Sequence, residues 1–142
     1  MLSQRARYAL HALTYLARRH GGAPVSIGEI ADGAQAPRKF LEAILLDLKR
    51  SHVLASSRGR TGGYVLAREP GEISFADVIR ALDGPLALAP CASKTAYRPC
   101  ATCPDVETCE IRPALVAARD AVAAILEDWT LARAAVQGVP AL

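Results

Sequence analysis

Between Val53 and Leu66, two short runs, Val53-Leu54-Ala55-Ser56-Ser57 and Tyr64-Val65-Leu66, flank the segment Arg58-Gly59-Arg60-Thr61-Gly62-Gly63. The flanking runs read as strands and the glycines as a tight connection, so this stretch predicts a β-hairpin. Its tip joins three glycines to two arginines, which puts positive charge on an exposed loop. What precedes the hairpin narrows the fold further. Ser26, with Glu29 three residues later, is a capping-box pattern that opens a short helix through Ile27, Ile30 and Ala31 to about Gly33. A second helix begins near Pro37, a residue suited to a first helical turn. It continues through Phe40, Leu41, Ile44, Leu45 and Leu48 to about Ser51. Two short helices joined by a glycine-containing turn form a helix-turn-helix pattern, which is unspecific alone. Followed directly by a basic hairpin, it predicts a winged helix-turn-helix. The bland alternative is a structural hairpin with incidental arginines.

The rest of the chain reads as helix. From Gln4 to His20, Ala6, Ala9, Leu10, Leu13, Leu16 and Ala17 recur at three- and four-residue steps until Gly21-Gly22. Ser74 and Asp77 open another helix through Phe75, Val78, Ile79 and Leu82, ended by Gly84 and Pro85. From about Glu110 to Val136, Ile111, Leu115, Ala118, Val122, Ile125, Trp129, Ala132 and Val136 alternate four- and three-residue steps. That is a heptad seam on one long terminal helix, and such a seam asks for a partner helix. Pairing with a second copy is the favoured expectation, because twofold symmetry matches palindromic DNA; packing back onto its own domain is the alternative. Hydrophobic content of 51% with only 5% aromatic residues also suits a mainly α protein. The expected organisation is a winged helix-turn-helix DNA-binding domain over 1–84, a cysteine-rich cluster or metal loop over 85–109, and a dimerisation helix and tail over 110–142.

The formal net charge is +3, and its distribution is uneven. Residues 1–68 hold eleven Lys and Arg against four Asp and Glu, net +7; residues 69–142 hold six against ten, net −4. The first acidic residue is Glu29, so the opening helix is purely basic. A basic half suits a polyanion, although solvated helix faces give the same count. The opening residues show no signal-peptide pattern and no run is apolar for long enough to span a bilayer, so the expectation is a cytoplasmic protein without a membrane partner. An enzyme is disfavoured. There is no Ser/His/Asp constellation or paired-carboxylate site, and Gly62-Gly63 sits in a hairpin rather than between a strand and a helix.

All four cysteines, Cys91, Cys100, Cys103 and Cys109, fall within nineteen residues. They occupy a long loop-like stretch rich in Cys, Pro, Ala and Thr, which needs something to order it. Structural disulfides are disfavoured in a cytoplasmic chain, whereas thiolate–metal bonds can order a loop that lacks its own core. Zinc prefers two close cysteine pairs, and only Cys100 and Cys103 form one. An iron–sulfur cluster tolerates wider spacings. A metal-free thiol switch is the third option. Spacing alone leaves cluster and zinc nearly even.

These features together resemble the Rrf-two family of bacterial transcription regulators, from about Leu2 to Trp129. The resemblance is carried by Tyr8-Ala9-Leu10-His11-Ala12-Leu13, by Ser26-Ile27-Gly28-Glu29-Ile30-Ala31, by the Arg-Gly-Arg-Thr-Gly-Gly-Tyr wing within Leu54 to Leu66, by Ile73 to Gly84, and by Cys109-Glu110-Ile111-Arg112. It implies a regulator, read here as a repressor, that binds double-stranded DNA at a palindromic operator as a homodimer. It also implies that an iron–sulfur cluster, 2Fe–2S or 4Fe–4S, controls affinity in response to iron, redox state or nitric oxide. Zinc or a thiol switch without a cluster remains the alternative. Cluster-binding members use three cysteines, whereas this loop has four. The five-residue gap between Cys103 and Cys109 matches the family's closing pair, which makes Cys91, Cys103 and Cys109 the first choice and Cys100 a fourth ligand or alternate. Some relatives take a further ligand from an acid on the partner's first helix, and this chain has none there. His11 is the substitute candidate, though on a mostly apolar helix it reads first as a packed residue.

On this resemblance the second short helix enters the major groove and the wing an adjacent minor groove. Arg38 and Lys39 lie at the start of that recognition helix, where side chains and the helix dipole meet phosphates or guanine edges. Glu42 can accept from a cytosine amino group. Arg58 and Arg60 suit a narrow, electronegative minor groove, and Arg5 and Arg7 suit phosphates. Ser26, Phe40, Thr61 and Gly62 complete the expected DNA-facing set. The expected dimer face is Ile111, Leu115, Ala118, Val122, Ile125 and Trp129.

Overall fold

The computed structural model describes residues 2–103 and 105–137. Helix α1 (Gln4–Ala17) starts where the Ser3 hydroxyl accepts from the Ala6 backbone N–H. Its stripe of Ala6, Ala9, Ala12, Leu13 and Leu16 is buried, and the small alanines let other elements approach closely. Helix α2 (Ile27–Ala34) has Ser26 as its cap, with the Ser26 hydroxyl accepting from the Glu29 backbone N–H at 3.2 Å. Gly33 in α2 lies under the ring of Tyr15, where an added Cβ would come within 2.1 Å of a ring carbon.

Helix α3 (Arg38–Arg50) begins one residue after Pro37, which occupies the cap position. It buries Leu41, Ile44, Leu45 and Leu48, while its opening turn stays exposed. Strands β1 (Leu54–Ser57) and β2 (Gly63–Leu66) pair antiparallel, with Leu54 opposite Leu66 and Ser57 opposite Gly63. The hairpin is anchored by Val25, which exchanges backbone hydrogen bonds with Tyr64 at 2.8 and 3.0 Å. That approach requires Gly63, since a Cβ there would stand 2.3 Å from the Val25 carbonyl oxygen. Helix α4 (Phe75–Asp83) carries both halves of the Ser74–Asp77 capping box. The common core of these elements includes Leu13, Ile30, Leu45, Val53, Leu66, Ile73 and Val78.

The C-terminal region departs from expectation. Helix α5 (Arg112–Asp128) ends at Trp129, whose backbone is extended (φ −81°, ψ 107°), and a separate helix α6 (Leu131–Gln137) follows. The Phe75 N–H donates to the Trp129 carbonyl at 2.8 Å, and the Leu131 N–H donates to the Ile73 carbonyl at 2.9 Å. Leu131 is fully buried in the core, and α6 lies against α1, where Arg18 donates to the Ala135 carbonyl. The expected single helix to Val136 is therefore two. Tertiary backbone bonds override the helical periodicity, and Ala132 and Val136 leave the α5 seam. Trp129 packs near Phe75, with ring centroids 6.3 Å apart, and carries Arg133 over its face. The end of the expected tail, 138–142, lies outside the described residues. No helix among the described residues is long and apolar enough to cross a membrane.

Candidate DNA-binding surface and cysteine cleft

The first turn of α3 presents Arg38, Lys39, Phe40 and Glu42 to solvent. The helix N-terminus adds partial positive charge to two cationic side chains there. Arg38 and Glu42 face each other one turn apart, 3.9 Å between Nε and Oε1. Phe40 is 65% exposed, an unusual state for a phenyl ring, and lines an open apolar groove between α1 and α3 with Tyr8, Lys39 and Ala43. Ser26 acts as the α2 cap. Arg5 is ion-paired with Asp47 of α3, so it ties α1 to α3; Arg7 is exposed.

At the wing, Arg58, Arg60 and Thr61 are exposed and Gly62 is half-buried. Gly59 has φ +104°, and a Cβ on Gly62 would lie 2.4 Å from the Ser57 carbonyl oxygen. These glycines fix the shape that carries the two arginines outward. The anchoring role of Val25 had no sequence signal beyond a single β-branched residue before the capping serine.

Cys91 sits in a short turn, Pro90–Ala92, and is 3% exposed. Two arginines of α5 reach back to this turn: Arg112 Nε donates to the Cys91 carbonyl at 3.2 Å, and Arg119 donates to the Ala92 carbonyl. The Arg119 side chain is 12% exposed and is oriented by Asp120, which also faces Lys94 at 3.5 Å. Arg119 holds the Asp120 carboxyl below its ordinary range, with Lys94 assisting. Sequence reasoning missed both arginines, because their role rests on contacts across 21 and 27 residues.

The Sγ atoms of Cys91 and Cys100 are 3.5 Å apart. All four cysteines are free and line one cleft of about 370 Å³, closed on one side by Ile111 and Leu115. The hydrogen bond to Cys100, then burial, pushes the Cys91 thiol up from its ordinary value, against the pull of Arg112. Four thiols in a partly apolar cleft are a suitable donor set for an iron–sulfur cluster or zinc. Their spacing is open: among the described residues no three metal-ligating side chains stand together as a ready site for a metal ion. His11 is exposed, not packed as its helix suggested, and it does not line the cleft.

A helix-turn-helix with a basic two-stranded wing defines a winged-helix DNA-binding protein. The pattern of the Rrf2 family, described as "Iron-dependent Transcriptional regulator", matches residues 2–137. An rrf2-like HTH-type transcriptional regulator of Rhodobacter capsulatus is 40% identical over 99% of this chain and 96% of its own. Among solved structures, CymR, the global cysteine regulator of Bacillus subtilis, superposes with a TM-score of 0.80 at 30% identity over 98% of both chains. IscR of T. potens superposes at 0.73 and 26% identity, over 94% of this chain and 84% of its own. The chain belongs to the Rrf2 family; it is a DNA-binding transcription regulator and not an enzyme.

Proposed function

We propose that this protein is a cytoplasmic, homodimeric repressor whose affinity for a palindromic operator is set by an iron–sulfur cluster held in the cysteine cleft. The observation that carries the reading is the convergence of Cys91, Cys100, Cys103 and Cys109 on one cleft whose wall is the start of α5. Cys91, Cys103 and Cys109 are the proposed ligands, with Cys100 a fourth ligand or alternate. When bound, such a cluster supplies a thiolate-held centre that responds to iron supply, oxidants and nitric oxide.

The chain's own residues supply the transmission. Arg112 and Arg119 fasten the Cys91 turn to α5. The far end of α5 is fastened to the winged domain by Arg80 on Glu127 and by the backbone bonds of Trp129 and Leu131. Ordering of the loop is thereby linked to the position of α5. None of the α5 side chains is buried, and Val122 and Ile125 are exposed. With Ile111, Leu115 and Ala118 they form the face proposed to pair with a second copy, which spaces the two recognition helices. Trp129, packed beside Phe75, borders that face. At the DNA, Arg38, Lys39, Phe40 and Glu42 are proposed to read the major groove, Arg58, Arg60, Thr61 and Gly62 to enter the minor groove, and Arg5, Arg7 and Ser26 to meet the backbone.

Iron and acid-labile sulfide analysis of anaerobically purified protein tests this reading. Stoichiometric iron and sulfide with broad visible absorption is the expected result; colourless protein that resists reconstitution overturns it. A second reading is zinc or thiol control without a cluster, and its thiol form is favoured by the 3.5 Å approach of Cys91 and Cys100.

A further inference from the structure

We propose that Cys91 and Cys100 form a disulfide under hydroperoxide when the cysteine cleft holds no metal, and that this cross-link is the chain's oxidative modification site. The inference deepens the proposed function by assigning what the loop does once its metal is gone, and the bond itself stands independently of the cluster.

Four observations carry it. The two sulfurs are 3.5 Å apart, while no comparable contact among the described residues joins Cys103 or Cys109 to another thiol. Cys91 is 3% exposed, whereas Cys100 is half-buried on the wall of an open cleft. A small peroxide therefore reaches Cys100 first. Of the eight residues between the two, Ala92 and Ser93 are buried and the six from Lys94 to Pro99 are exposed. The Arg98 N–H donates to the Pro90 carbonyl and folds the connection back toward Cys91, so the sulfurs need only a small local shift to reach bonding distance. Finally, Cys91 does not move freely, since Arg112 and Arg119 hold its turn. The pairing is thus directional: Cys100 comes to Cys91.

The chemistry balances in two steps. The Cys100 thiolate attacks one peroxide oxygen, breaking the O–O bond, and becomes a sulfenic acid as the other oxygen leaves as hydroxide or alkoxide. The Cys91 sulfur, giving up its proton, then attacks the Cys100 sulfur; an S–S bond forms, the S–O bond breaks, and water leaves. Two electrons pass from the pair of thiols to the peroxide. The product ties Cys100 to the turn fastened on α5 and withdraws Cys91 from metal ligation until a thiol reductant restores it.

The sequence makes the test direct. Trypsin cuts after Lys94, which puts Cys91 in one peptide and Cys100, Cys103 and Cys109 in another. Metal-free full-length protein is treated with one equivalent of hydrogen peroxide, alkylated, digested and mapped by mass spectrometry with fragmentation between Cys100 and Cys103. The expected result is two tryptic peptides joined through Cys91 and Cys100, abolished in Cys100→Ser and retained in Cys103→Ser, with dithiothreitol restoring four free thiols. A dominant link through Cys103 or Cys109, or sulfinic and sulfonic acids without a cross-link, overturns the proposal. Absence of iron in the purified protein would count against the cluster reading alone, because the mapping needs no metal.

Discussion

The guanidinium of Arg119, on α5, donates to the carbonyl oxygen of Ala92, one residue after the buried Cys91. Through this contact the proposed dimer helix and the cysteine loop share one mechanical joint, reinforced by Arg112 on the Cys91 carbonyl. A rearrangement at Cys91 cannot leave α5 unaffected unless both bonds break.

Removing that joint should be measurable. Arg119→Ala leaves the Ala92 carbonyl and Asp120 without their partner, and a lost charge-assisted bond in a half-buried setting costs about 1–3 kcal/mol. Urea unfolding should report that loss, and reconstituted protein should release iron faster to a chelator. Arg119→Lys should restore only part of it, because lysine lacks the forked donor that spans Ala92 and Asp120. Unchanged stability and iron release in both variants would refute the joint.

The same joint has a pH signature. Asp120 has a folded-state pKa depressed below its ordinary value, mainly by Arg119. A depressed carboxylate contributes stability that is present above the unfolded value and is lost as pH falls through the folded one. Acid titration of stability should therefore show a steeper loss in the wild type than in Asp120→Asn, confined to the region below the ordinary carboxylate pKa. Parallel acid limbs would show that the pair does not couple to folding.

For the wing, Arg58→Ala and Arg60→Ala should each weaken DNA binding and lower the slope of log affinity against log salt by about 1, if each neutralises one phosphate charge or the equivalent groove potential. Both side chains are exposed and neither has an ion-pair partner among the described residues, so folding stability should be unaffected. Fluorescence anisotropy across a salt series checks this; an unchanged slope in the double variant would remove the wing from the interface.

On α5, Ile125 is 59% exposed in the single chain. Ile125→Glu places a charge on the proposed pairing face, which should weaken association by about 3 kcal/mol, roughly a hundredfold. Sedimentation equilibrium should then show monomer where the wild type is dimeric, with unchanged helical content. A variant that stays fully dimeric would point to a different interface.

Much of the winged domain was legible from local chemistry. Ser74 and Asp77 three residues apart specify a complete capping box, and both hydrogen bonds form. Ser26 and Glu29 realise half of theirs. Gly59 shapes the hairpin through its positive φ, and Gly62 and Gly63 through close approaches that a side chain would block. The break at Trp129 was not legible. No Gly or Pro interrupts the heptad pattern there, and the helix ends because Phe75 and Ile73 take the backbone groups of Trp129 and Leu131. The pairing of Arg5 with Asp47, the exposure of His11 and the reach of Arg112 and Arg119 to the Cys91 turn likewise depend on elements distant in sequence. The cysteine spacing pointed to a shared site, but not to which pair would stand closest.

The central claim, that the cysteine cleft controls DNA binding, is tested most directly by measuring operator affinity of one preparation before and after cluster removal under anaerobic conditions. The operator is first selected from a random duplex library. The account predicts a change in affinity of tenfold or more, about 1.4 kcal/mol of coupling, restored by reconstitution with iron and sulfide. Equal affinity in the loaded and cluster-free states would contradict it and leave a winged-helix regulator whose cysteines serve another purpose.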